Sequence, residues 1–109
     1  MEALRQVDEW PVGSAAVGVA RAGAGAVATH GDRSARFPWA SVTKLATTLA
    51  ALVAAEEGAI ELEAAAGPPG ATVRHLLAHA SGLPLDAGAP IAQPGTRRIY
   101  SNAGFEVLA

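Results

Sequence analysis

The sequence contains no cysteine, and this absence excludes disulfide bonds, thiolate metal sites and a cysteine nucleophile. Charged residues are also scarce, at 17% of 109 residues, and eight basic side chains nearly balance ten acidic ones. The net charge of −2 gives no electrostatic reason to expect nucleic acid or an acidic membrane surface as a partner. With hydrophobic residues at 50%, the chain is too apolar for a disordered tail and should fold.

Large apolar side chains are fewer than this percentage implies, because 27 of the 55 hydrophobic residues are alanine. Alanine buries little area, so the sequence predicts a thin core. The first residues, from Met1 to Arg5, lack the basic start and apolar run of a secretory signal. The longest uncharged helical stretch, 45–55, is shorter than the about 18 to 20 residues that cross a bilayer. We therefore expect a cytoplasmic protein with no membrane partner.

Two elements are predicted at the start of the chain. A short helix is expected from Glu2 to Trp10, because apolar side chains recur along one side and Pro11 stops it. Valine-bearing runs at 15–20 and 25–30 flank a short glycine-containing connection, which predicts a β-hairpin.

The most distinct element is a long helix predicted from Ala40 to Glu57. Ser41 lies at or near its N-cap, and Gly58 follows its last turn. Residues 45–55 carry no charge on any side, and a helix without a polar face is normally surrounded by protein. The sequence therefore predicts a central, buried helix.

Two shorter helices are predicted later in the chain. Thr72 can cap a helix that extends to about His79, and another helix begins in 103–109 with Phe105 and Leu108 on one face. This last helix reaches the final residue without a C-terminal cap, and a two-stranded hairpin alone is marginal in water. We therefore expect an incomplete α+β fold.

The strongest chemical signal is the segment 41–44 (SVTK) at the start of the long helix. Three residues turn a helix by about 300°, so the side chains of Ser41 and Lys44 share a face and can meet. Lys44 is the only lysine, and it lies in a first helical turn, where the macrodipole disfavours a cation by about 0.3 to 1 kcal/mol. This placement favours a neutral amine that accepts a proton from a serine nucleophile. The alternative is that Ser41 only caps the helix and Lys44 is a surface residue.

A second candidate group is the segment 100–102 (YSN), which precedes the last helix. In an extended segment, Tyr100 and Asn102 point to the same side. A phenol can relay a proton, and an amide can hold both a lysine and a substrate carbonyl. Alternatively, Asn102 is the N-cap of the last helix.

Three blocks in this order resemble the serine β-lactamase-like family, which includes class C β-lactamases, D-alanyl-D-alanine carboxypeptidases and related esterases. The blocks are ASVTK at 40–44, TVRHLLAHASGLP at 72–84, and PGT at 94–96 with YSN at 100–102. The resemblance implies a β-lactamase/penicillin-binding-protein-like α+β fold, with the hairpin at the start of its sheet and the long helix carrying S-x-x-K.

The resemblance also implies roles for four residues. Ser41 is the acylated nucleophile, Lys44 its proton partner, Tyr100 the base for acylation and deacylation, and Asn102 a residue that holds the substrate and the lysine. The implied reaction is hydrolysis, through an acyl-enzyme, of a small ester, amide, β-lactam or D-amino-acid peptide. The expected partner is this small-molecule substrate, and no cofactor is expected.

The sequence departs from the family after Asn102. The family's third motif, K-T-G or H-x-G, belongs on a later sheet strand and does not occur before Ala109. We therefore expect residues 1–109 to form a single incomplete serine hydrolase domain, the N-terminal portion of the fold. The alternative function is a catalytically incomplete fragment that needs a complementary chain or C-terminal segment.

A metal site is not expected. His75 and His79 have the spacing of two ligands on one helix face, but Leu76 stands where a zincin has glutamate and no third ligand is evident. We interpret both histidines as structural. The acidic residues near the end of the long helix are interpreted as solvated charges, namely Glu56, Glu57, Glu61 and Glu63.

Overall fold

The computed structural model describes residues 2–109 and divides into two compact units, one ending at Pro38 and the other spanning Trp39–Ala109. The first unit contains a 3₁₀ helix and two strands, at Glu2–Glu9, Ala16–Arg21 (β1) and Gly25–Gly31 (β2). The second contains a 3₁₀ turn and three α-helices, at Ala40–Val42, Thr43–Glu56 (α1), Val73–Leu77 (α2) and Asn102–Leu108 (α3). This combination of helices and one small sheet agrees with the predicted α+β class.

The first unit is built on the predicted hairpin. Strands β1 and β2 are antiparallel, with Ala16 opposite Gly31 and an irregularity in the register after Val19. Gly31 has φ of +90°, and a side chain there would collide with the backbone of Ala15. The expected N-terminal helix is present, but as a 3₁₀ helix, with Val7 as its buried residue.

The long helix begins later than predicted, and its first turn has a different geometry. Ala40 has φ of +45°, and the chain makes a 3₁₀ turn before α1 starts at Thr43. Val42 is the N-cap residue and forms no side-chain cap bond, so Ser41 lies next to the N-cap, as expected, and the alternative that Ser41 only caps the helix is wrong. The helix ends as expected, because Gly58 follows it with φ of +74°.

The prediction that the long helix is buried is also wrong. None of the residues of α1 is fully buried, and the side chains of Leu45 and Leu49 are 65% and 64% exposed. The physical reason is that α3, its helical neighbour, has only seven residues and covers one side of it. None of the described helices has the length and apolar character required to cross a membrane.

The core of the second unit lies between α2 and α3. Leu76 is completely buried, and Val73 and Phe105 are nearly so. Thr72 caps α2 as predicted: its side chain accepts from the His75 backbone, and the His75 ring accepts from the Thr72 backbone.

The boundaries of the two short helices differ slightly from the predictions. Helix α2 ends at Leu77, two residues early, because His79 adopts φ of +57°, which no α-helix accommodates. Helix α3 is capped by Ser101, whose Oγ accepts from the Gly104 backbone, so the alternative that Asn102 is the cap is wrong. Phe105 and Leu108 share the inward face as expected, the first buried and the second partly buried.

Candidate active site

Ser41 lies in the 3₁₀ turn directly before α1, and its hydroxyl is free of any capping role. The residue before it, Ala40, has a left-handed backbone, which costs a non-glycine residue roughly 1 to 2 kcal/mol. The turn exposes Ser41, and the Tyr100 hydroxyl donates a hydrogen bond to its Oγ at 2.6 Å. The two residues are 59 positions apart in the sequence.

Lys44 lies in the first turn of α1 and is half-buried. Its Nζ donates a hydrogen bond to Asn102 Oδ1 at 2.7 Å. The same Nζ lies 4.8 Å from the centre of the Tyr100 ring and 5.7 Å from that of Phe105, within the range of cation–π attraction. Lys44 Nζ therefore contacts the Asn102 amide and the face of the Tyr100 ring at the same time.

The structure brings together all four residues that the sequence singled out. They form two pairs that connect the start of α1 to the start of α3: Ser41 with Tyr100, and Lys44 with Asn102. In this arrangement Tyr100 connects the two pairs, because its hydroxyl contacts the Ser41 hydroxyl and its ring lies beside the Lys44 side chain, 4.8 Å from Nζ.

The electrostatic environment favours ionisation of Tyr100. The pKa of its hydroxyl is lowered from the ordinary phenol value, first by the hydrogen bond with Ser41 and then by hydrogen bonding and charge from Lys44. The positive charge of Arg98 adds to this shift, whereas partial burial opposes it. A phenol whose pKa is reduced toward neutrality is a more effective base at physiological pH.

Asp86 is a site residue that the sequence analysis missed. Its carboxylate accepts a hydrogen bond from Asn102 Nδ2 at 3.0 Å. Lys44 can only donate and an ionised carboxylate can only accept, so these two neighbours fix which end of the Asn102 amide faces which partner. Asp86 lies in a glycine- and proline-bearing connection, and no local pattern distinguishes it from a solvated acid.

His79 makes structural contacts, as expected from the sequence, and Tyr100 is among its neighbours. It is 8% exposed, its Nδ1 accepts a hydrogen bond from the Ser101 backbone at 3.0 Å, and its ring stacks on Tyr100. Burial, followed by the charges of Arg98 and Lys44, lowers the pKa of His79 from the usual imidazole value. The residues described contain no cluster of three or more potential metal ligands, and His75 is used in the cap of α2.

The second unit has two hollows beside α1, and one of them borders the polar pairs. A pocket of about 240 Å³ opens beside Lys44 and Asn102, and its wall is completed by Ala40, Thr43, Thr47, Phe105, Glu106 and Ala109. A larger, mainly apolar hollow of about 580 Å³ lies between α1 and α3, away from the polar pairs. The polar side chains of Lys44 and Asn102 make the first pocket the better candidate for a ligand with a carbonyl group.

Comparisons with known proteins give consistent findings. The Beta-lactamase family profile matches residues 4–109. The crystal structure of a β-lactamase from Mycobacterium bovis is 53% identical to the chain with a TM-score of 0.79, and the match covers 98% of this chain and 39% of that protein. The chain thus spans 39% of the length of this relative. A search of the curated proteins finds no match.

Proposed function

The chain belongs to the β-lactamase family, and on that premise we propose that Ser41 is the nucleophile of a serine hydrolase that forms an acyl-enzyme. The proposed substrates are small esters, amides, β-lactams or D-amino-acid peptides. The observation that carries the proposal is the 2.6 Å hydrogen bond between the hydroxyls of Tyr100 and Ser41. In the proposed reaction, this contact joins Ser41 Oγ, the atom that attacks, to the Tyr100 oxygen, the atom that takes its proton.

In the proposed acylation step, the Tyr100 phenolate accepts the Ser41 proton while Oγ bonds to the substrate carbonyl carbon. The π electrons of the carbonyl move to its oxygen, giving a tetrahedral oxyanion. When this collapses, the bond to the leaving nitrogen or oxygen breaks, and the leaving group takes the proton from Tyr100. Deacylation repeats the sequence with water as nucleophile, and Ser41 Oγ recovers its proton.

Lys44 and Asn102 have supporting roles in this proposal, in which Tyr100, the hydrogen-bond partner of Ser41, replaces Lys44 as the group that accepts the serine proton. The Lys44 ammonium stabilises the Tyr100 phenolate by its charge, 4.8 Å from the ring centre. Asn102 accepts from Lys44 through Oδ1 and donates one Nδ2 proton to Asp86, which leaves the second Nδ2 proton for a substrate carbonyl. All four residues named in the sequence analysis thus have a chemical task.

The test is covalent labelling of the 109-residue chain with a fluorophosphonate, followed by intact mass and peptide mapping. Labelling is expected on Ser41 in the wild type and is expected to be absent in Ser41→Ala. Ser34→Ala is the matched control, because Ser34 is an exposed serine of the first unit and should label as the wild type does. Equal labelling of the Ser41→Ala variant would reject the proposal.

A second proposal is that this chain is catalytically incomplete and becomes active with a complementary C-terminal segment. The observation that favours it is the uncharged segment 45–55 of α1, in which the side chains of Leu45, Leu49 and Val53 are at least half exposed. A segment that covered them would remove this apolar surface from water.

This proposal commits to one partner, the part of the M. bovis β-lactamase that lies outside the match. Labelling of Ser41 is measured with and without that segment, produced separately. A large acceleration in the mixture, abolished by Leu49→Glu on α1, supports the incomplete-fragment function. Equal labelling rates with and without the segment contradict the incomplete-fragment function.

A further inference from the structure

His79 forms hydrogen bonds with the residues on both sides of Tyr100. Its carbonyl oxygen accepts from the Ile99 backbone at 2.7 Å, and its Nδ1 accepts from the Ser101 backbone at 3.0 Å. The backbone is therefore held immediately before and immediately after Tyr100. A residue held at both neighbours has little freedom to move its Cα, so the starting point of the phenol side chain is fixed.

The His79 ring also contacts the phenol directly. The two ring centres are 4.5 Å apart and the planes are inclined by 30°, which is a stacked arrangement. The imidazole also packs against Phe105, whose ring centre lies 5.0 Å away. Tyr100 is 38% exposed, so this stacking is one of the few constraints on the direction of its ring.

This arrangement requires a neutral imidazole. Nδ1 accepts the Ser101 N–H and therefore carries no proton, whereas a protonated ring would present an N–H to another N–H. The charged and titratable groups that act on His79 are Arg98 and Lys44, both positive, and Tyr100 is stacked on its ring. Both cations disfavour a further positive charge at this position.

We propose that neutral His79 is a positioning residue that aims the Tyr100 hydroxyl at Ser41. This inference rests on the proposed function, in which Tyr100 is the base. His79 does not touch the reacting atoms. It acts by holding the residues on both sides of Tyr100 and by stacking on the ring, and a displacement of about 1 Å in such a group can cost roughly a hundredfold in rate.

Two variants separate the two kinds of contact. His79→Asn retains a side-chain acceptor for Ser101 and tolerates the left-handed backbone, but it removes the stacked ring. His79→Phe retains a ring and removes the acceptor. His30→Asn, in the first unit, is the control for loss of a histidine elsewhere.

The first readout is fluorophosphonate labelling, resolved into the maximal rate and the half-saturating probe concentration. Both His79 variants should lower the maximal rate roughly tenfold to a hundredfold with little change in half-saturation, while His30→Asn matches the wild type. The second readout needs no reaction. The chain has one tyrosine, so absorbance during alkaline titration reports Tyr100 alone.

The pKa of Tyr100 obtained from this titration should rise toward the ordinary phenol value of about 10 in the His79 variants. Because neutral His79 contributes no charge, such a shift reports lost contact with Ser41 and Lys44. If folded variants keep both the wild-type labelling rate and the wild-type titration, the inference is overturned. If the wild type does not label but the titration still depends on His79, the proposed function fails and the positioning role stands.

A measurement on the wild type covers the case in which the variants do not fold. Nitrogen-15 chemical shifts of the histidine rings give the protonation of each nitrogen, and ring-to-ring Overhauser effects report the stacking. The expected result is an unprotonated Nδ1 and contacts between the rings of His79 and Tyr100. A protonated Nδ1, or rings without contact, would overturn the inference without any substitution.

Discussion

Lys44 donates a hydrogen bond to Asn102 although 58 positions separate them in the chain. Together with the bond between Ser41 and Tyr100, this contact connects the first turn of α1 to the start of α3. Much of the remaining surface of α1 is uncovered. These polar contacts therefore contribute to the position of the helix as well as to the chemistry proposed for it.

Tyr100→Phe is expected to slow Ser41 labelling by roughly a hundredfold to ten-thousandfold, because it removes the proposed base. The lowered pKa of Tyr100 gives this prediction a pH signature. The wild-type rate should rise with pH as the phenol ionises, with a midpoint below the ordinary phenol value of about 10, whereas the phenylalanine variant should show no such rise. The measurement is the labelling rate as a function of pH.

The control for this variant is its stability. Phenylalanine keeps a ring that can stack on His79, so the free energy of unfolding in urea should change by less than about 1 kcal/mol. Labelling of the folded variant at the wild-type rate would show that Tyr100 is not the base.

Asp86→Ala is expected to reduce labelling about fivefold, which corresponds to one hydrogen bond of about 1 kcal/mol. Without the carboxylate, the Asn102 amide loses the partner that fixes its orientation toward Lys44. Asp86→Asn retains an acceptor oxygen and should restore most of the rate. If alanine and asparagine at this position behave identically, the contact with Asn102 has no influence on the site.

The stability of the protein should fall in mild acid because of His79. Its pKa is lowered in the folded state, mainly by burial, so below about pH 6.5 the unfolded chain binds more protons than the folded one. The His79 contribution is therefore fully present above about pH 6.5 and is lost as the pH falls through the folded-state pKa. Urea unfolding at several pH values measures this slope.

His79→Asn supplies the comparison, since asparagine does not titrate in this range. The slope of unfolding free energy against pH should be smaller in the variant than in the wild type. Two identical slopes would mean that His79 does not change its proton affinity on folding.

Substitutions of two leucines test whether the long helix is exposed. Leu49 on α1 is 64% exposed, and Leu49→Gln should change the free energy of unfolding by less than about 0.5 kcal/mol. Leu76 on α2 is completely buried, and Leu76→Ala should cost about 2 to 5 kcal/mol. A large cost for the glutamine variant would show that Leu49 is covered in solution, and a repeat at lower protein concentration would identify self-association as the cause.

Signals carried by neighbouring residues were sufficient for much of the fold. The hairpin follows from two valine-bearing runs around a glycine turn, and the start of α2 follows from the capping ability of Thr72. The end of α1 follows from Gly58, because a positive φ is easy only for glycine. Each of these features depends on contacts within a few residues.

The features that were predicted wrongly or missed depend on contacts between distant segments. An uncharged helix indicates burial only if other segments cover it, and no pattern within α1 reports whether they do. Asp86 and His79 acquire their partners from the start of α3, 16 and 22 residues further along the chain. The four site residues follow from motif resemblance, which carries information about contacts between distant segments.

The two pairs at the site have a consequence for what Ser41 can report. Since its partner and that of Lys44 both come from the other end of the unit, helical content alone gives the serine no more reactivity than an ordinary alcohol. Labelling therefore reports whether α1 is packed against α3. It should be lost when the two helices separate, even if each remains helical. Under the proposed function, the Ser41 hydroxyl is a sensor of tertiary assembly.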